Sequence, residues 1–95
     1  MNDTLYREIV MTIDELVTDK FGQIQIQLVP INAWNIYFEF DRYFIGIFVH
    51  SSWYEIVFHE TGYPKQIYTA KDEIDLFDTI EWLFDTQIGP PGDVF

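Results

Sequence analysis

Four carboxylates, Asp75, Asp78, Glu81 and Asp85, recur at intervals of three and four residues, with Trp82 among them. On a helix that spacing sets them in a row. Within 73–87 no Lys or Arg neutralises them, so the row attracts basic groups. Trp82 would add the apolar anchor that charge alone lacks. Such a row can occupy the groove that a basic enzyme keeps for phosphates. The plainer reading is a solvated helix face whose Trp82 covers an edge of the core.

Two histidines, His50 and His59, stand near Glu55 and Glu60 and are the candidates for metal ligation. If 43–60 folds as a hairpin, His50 lies beside the turn and His59 near the other end. Imidazoles so far apart along a strand do not share one ion, and no metal or other cofactor is expected. Ser51 and Ser52 adjoin His50, but no nucleophile elbow accompanies them. Phosphate loops, dinucleotide fingerprints and zinc-protease motifs are absent, as is cysteine. Glu39 and Glu55 could share a face, but a carboxylate pair needs a cleft to separate its pKa values. The expectation is a protein with no catalytic residues, not an enzyme.

The third candidate is the stretch "YFIGIFVHSSWYEIVFHE" at 43–60. With two-residue turns at Asp41-Arg42 and Ser51-Ser52, Phe40 meets Tyr43, Phe38 meets Ile45 and Ile36 meets Ile47. The second hairpin then pairs Val49 with Tyr54, Ile47 with Ile56 and Ile45 with Phe58. One face becomes wholly apolar, and a one-residue slip would destroy that agreement. The other face carries Tyr37, Phe44, Gly46, Phe48, Trp53 and Val57, rimmed by Asn35, Glu39, Glu55 and His59. A final strand at 65–70 is expected to place Ile67 inward and Tyr68 outward. The row Tyr37–Gly46–Val57–Tyr68 would then hold a shallow dip at Gly46. Aromatic residues within a polar rim are the anatomy of an interface.

The elements that position these residues follow from periodicity. Leu5, Tyr6, Ile9, Val10, Ile13, Leu16 and Val17 fall on one arc of a helix at 4–20, with Asn2 or Asp3 to cap it and Gly22 to stop it. The period then changes to two. Ile24, Ile26 and Leu28 share a face of a strand at 23–29 that Pro30 ends, and Trp34, Ile36, Phe38 and Phe40 share a face at 34–40. Leu76, Phe77, Ile80, Leu83, Phe84 and Ile88 form the apolar arc of a helix at 73–87, capped by Thr69 or Asp72. The expected fold is α+β in the order α-β-β-β-β-β-α, an antiparallel meander with both helices on one face. Residues 1–88 make one domain, and "GPPGDVF" at 89–95 is expected to be a flexible tail.

Sixteen acids face five bases, a net charge of −11. Seven of the acids and none of the bases lie in 72–95. Phosphate backbones and anionic lipid repel such a chain, so neither nucleic acid nor membrane is expected as a direct partner. The start "MNDTLYREIV" does not read as a signal peptide, and no apolar run approaches the roughly 18 residues of a membrane helix. A cytoplasmic protein is expected. Together these features suggest a small interaction module with a basic protein partner, in its sharper form an inhibitor that mimics nucleic acid. The alternatives are a small-ligand domain using the aromatic face around Gly46 and a structural homodimer closed through that face.

Overall fold

The computed structural model describes residues 2–32 and 34–89. Helix α1 spans Asp3–Phe21. The Asn2 side chain accepts the Leu5 N–H at 2.7 Å and caps its start. At its end Gly22 has φ +77°, and its N–H donates to the Thr18 carbonyl at 2.9 Å. Positive φ is cheap only for glycine. Leu5, Ile9, Ile13, Val17 and Phe21, four residues apart, form the buried stripe.

Five strands follow in a meander of order β1-β2-β3-β4-β5, every neighbouring pair antiparallel: β1 (Gln27–Asn32), β2 (Asn35–Phe40), β3 (Tyr43–Val49), β4 (Tyr54–Glu60) and β5 (Gln66–Ala70). Helix α2 spans Glu73–Thr86, capped by the Asp72 side chain, which accepts the Asp75 N–H at 2.8 Å. The fold is the expected α+β meander, and the register of β2, β3 and β4 is the expected one. Phe38 lies opposite Ile45, and Ile45 opposite Phe58. Asp41 takes a left-handed φ of +52° in the first turn, which an aspartate tolerates better than most residues. His50 N–H donates to the Trp53 carbonyl at 2.9 Å and closes the second.

Three details depart from the sequence reading. β1 starts and ends later than expected, and Pro30 lies inside it, opposite Ile36. Proline has no N–H to lose on an edge strand. Trp34 is not inward but 59% exposed, because it stands in the turn before β2. The largest change is in β5. Val57 pairs with Ile67 and Ile56 with Tyr68, one residue off the expected register, so the two side chains exchange faces. Ile67 points outward, and Tyr68 joins the helix side with Ala70, which is buried.

The core lies between the helices and the inner sheet face. Ile36, Phe38, Ile45, Ile47 and Ile56 meet Ile9, Ile13, Leu76, Ile80 and Leu83 there, all buried. At one end Phe21 packs edge-on to Phe40, and Phe40 stacks on Phe84 with ring centres 5.6 Å apart. Lys20 fastens the helices at that end. Its Nζ donates to the carbonyls of Phe84 and, at 2.6 Å, of Ile88. α2 has no basic residue in its last turn, so α1 supplies the cation that its C-terminus favours. Beside this clamp, Gly89 N–H donates to Tyr43 Oη at 2.8 Å. The rest of the expected tail, 90–95, lies outside the described residues. Among the described residues, no helix is long and apolar enough to cross a membrane.

Candidate functional site

The acidic row is real on α2, with one exception. Asp78, Glu81 and Asp85 are exposed. Asp75 instead turns back to its own helix start, where its carboxylate accepts the Lys71 N–H at 3.0 Å. It serves the cap more than the row. Trp82 is 43% exposed and meets Tyr68 edge-on, ring centres 5.4 Å apart. The sequence reading missed Ile74, which is 76% exposed, the highest value among the large apolar residues described. Its signal was available. Ile74, Asp78, Glu81 and Asp85 follow one another at four, three and four residues, so an isoleucine begins the polar row.

A groove flanks each side of α2. One, about 560 Å3, lies between α2 and β5 and is lined by Ile67, Tyr68, Thr69, Asp78, Thr79 and Trp82. The other, about 320 Å3, lies between the helices. Met11 and Phe77 contribute its apolar part, with Glu8, Glu15 and Glu81 among the residues around them. The acids of α2 are therefore continued by two from α1 that a single-helix reading does not bring into view.

The outer sheet face is built differently from its expected form. The row across all five strands is Val29–Tyr37–Gly46–Val57–Ile67. Tyr68 is not part of it. There is no dip at Gly46. A Cβ built there would stand 2.6 Å from Tyr37 Cε1 and 3.0 Å from Phe48 Cε2. The tyrosine ring lies over the glycine, and Phe44 and Phe48 hold it with centroids 4.6 and 5.6 Å away. Tyr37, Phe44, Phe48 and Val57 are half-buried in consequence, while Trp53 and Ile67 stay exposed.

The histidines are separated, as the hairpin register required. His59 lies opposite Phe44. His50 stacks on Trp53, ring centres 3.9 Å apart at 8°, with Nε2 3.0 Å from Glu55 Oε1. Among the described residues, no group of three or more His, Asp or Glu side chains is placed to hold a metal ion.

Among the described residues, Arg42 and Tyr54 are shifted from their ordinary values. The Arg42 guanidinium is held more basic than usual, mainly by the hydrogen bond from its Nε to Glu60 at 2.9 Å. The Tyr54 phenol is raised, first by burial and then by the charges of Glu73 and Asp72. Both belong to the scaffold.

No known protein family, curated protein or solved structure matches the chain.

Proposed function

We propose that this chain is a non-enzymatic interaction protein that binds a basic protein partner through the outer surface of α2. One observation carries the reading: Trp82 and Ile74 are exposed apolar side chains set directly into the row Asp78, Glu81 and Asp85. Interfaces combine such an anchor with a charged surround that steers the approach. Glu8 and Glu15 enlarge the negative surface, and Lys20 is engaged at the C-terminus of α2. In the sharper form of the reading, the protein inhibits a nucleic-acid-binding enzyme by occupying its phosphate groove, and it works in the cytoplasm. No nucleic acid, membrane or cofactor takes part.

The test is capture of partners from cell lysate by the wild type and by the variant Asp78→Lys/Glu81→Lys/Asp85→Lys, at low and high salt. The wild type is expected to retain a basic protein that the variant loses, with affinity falling as salt rises. Capture that ignores both salt and charge reversal overturns the reading.

A second reading, a homodimer through the outer sheet face, draws on charge. That face carries Glu39 and Glu55 while most acids lie on the helices. Sedimentation across a dilution series checks it, and a monomer at high concentration removes it. Small-ligand binding at Gly46 loses its geometric basis, because the Tyr37 ring fills the position.

A further inference from the structure

The sheet has two edges, and they are treated unlike one another. β1 is blunted: Pro30 lacks an N–H, and the register shifts between Pro30 and Asn32, both recognised ways of spoiling an edge as a template. β5 carries neither device. Its sequence is Gln-Ile-Tyr-Thr-Ala, and it pairs with β4 along its whole length without a register shift. Lys65 and Lys71 flank this stretch and do not interrupt it.

The groove beside β5 shows where a further strand would lie. Ile67, Tyr68 and Thr69 are successive residues of one strand and so point to alternate faces. All three nevertheless line one groove, together with Asp78, Thr79 and Trp82 of α2. The groove therefore runs along the outer edge of β5, where that strand's second set of backbone groups lies.

We infer that β5 accepts an extended, basic segment of a partner protein as a sixth antiparallel strand. The inference rests on the acidic-surface reading above and specifies how the partner is held. In the added strand, side chains on the helix side lie over Asp78 and Trp82. An arginine fits there, paired with the carboxylate and stacked on the indole. Alternate side chains lie beside Ile67, which is 62% exposed on the outer face, and small apolar residues fit there. The recognised pattern is basic and apolar residues in alternation. Charge decides against a second copy of this chain: joining β5 to β5 would bring the two acidic helices side by side.

The test uses an acetylated, amidated short peptide that alternates arginine and valine, titrated against the intact protein by calorimetry and by amide hydrogen exchange. Two further peptides are N-methylated, one at the arginines and one at the valines, so that only one blocks the edge. The charge-reversed variant Asp78→Lys/Glu81→Lys/Asp85→Lys is titrated in parallel. The expected result is slowed exchange at those amides of residues 66–70 that point away from β4, and loss of about tenfold or more in affinity for one methylated peptide but not the other, because backbone bonds carry strand addition. Charge reversal is expected to weaken the unmodified peptide as well.

Equal binding by both methylated peptides, lost on charge reversal, overturns strand addition and leaves the acidic surface standing. Binding indifferent to charge reversal overturns the basic occupant and counts against the acidic reading with it. No binding by any peptide, or protection in the free protein of those amides at 66–70 that point away from β4, also overturns the inference. Protection that grows with protein concentration assigns the edge to a second copy.

Discussion

On its helix side the sheet presents Ile36, Phe38, Ile45, Ile47 and Ile56 to two helices, and all five are buried. On its other side no described element lies over Tyr37, Phe44 and Phe48, yet they too are half-buried. The first face is closed by a second layer. The second is closed by its own rings: Tyr37 lies over Gly46, which has no Cβ to lift it, and Phe44 and Phe48 pack against that ring at 44° and 79°. An aromatic sheet face is thus not by itself an open platform. Among the described residues, the large apolar side chains that remain exposed on this face are at its margins, Val29, Trp53 and Ile67.

The two faces should contribute unequally to stability. Phe38→Ala on the inner face is expected to cost about 3–5 kcal/mol by urea unfolding. Phe44→Ala on the outer face should cost about half as much, near the ordinary ~1–2 kcal/mol of a partly exposed truncation. Equal costs would mean that something covers the outer face in solution.

Gly46→Ala tests the outer face directly. An alanine in a strand is ordinarily the better residue by roughly 0.5–1 kcal/mol. Here its Cβ collides with Tyr37, so a net loss of about 1–3 kcal/mol is expected from overpacking. Most of that loss should vanish in a Tyr37→Ala background. A neutral or stabilising Gly46→Ala would show that the ring does not lie there.

Smaller effects concern the helix layer. Lys20→Met keeps the stem but removes the cation at the C-terminus of α2, with an expected cost of about 1 kcal/mol, read as a lower unfolding midpoint. Smallest is an alkaline effect. The folded chain holds the Tyr54 proton more tightly than the unfolded chain does. Stability from this group is therefore intact below the usual tyrosine pKa of about 10 and falls as pH rises from there toward the raised folded value. Tyr54→Phe should flatten the fall, and an unchanged slope would contradict it.

The legibility of the molecule in its sequence follows from the number of constraints on each part. The register of β2, β3 and β4 was readable to the residue, because Ile36, Ile47 and Ile56 had to agree across two turns at once. β5 was not. It has one pairing partner, and its adjacent Ile67 and Tyr68 satisfy either register equally well by type. Burial of Ala70 against α2 and the contact of Tyr68 with Trp82 decide it, and neither contact is local. The acidic row could be read from spacing, but the role of Asp75 in the cap could not, because it depends on where the chain before the helix turns. At Gly46 the sequence shows a missing side chain and cannot show which neighbour takes the space.

The contact between Lys20 and the carbonyls of Phe84 and Ile88 spans 64 and 68 residues of chain. Each strand of the meander, by contrast, pairs with its neighbour in sequence, and such hairpins close in about 1–10 μs. Loop closure over the longer span comes at a greater entropic cost. Contact between the two helices therefore carries the larger closure cost, and α2, which carries the acidic row, leaves the ribosome after the whole sheet. A nascent chain stopped before residue 73 presents a sheet whose inner face lacks the cover of Leu76, Ile80 and Leu83. The surface proposed to bind a partner comes into being only once α2 has been made, and a chain stopped short of it cannot compete for that partner.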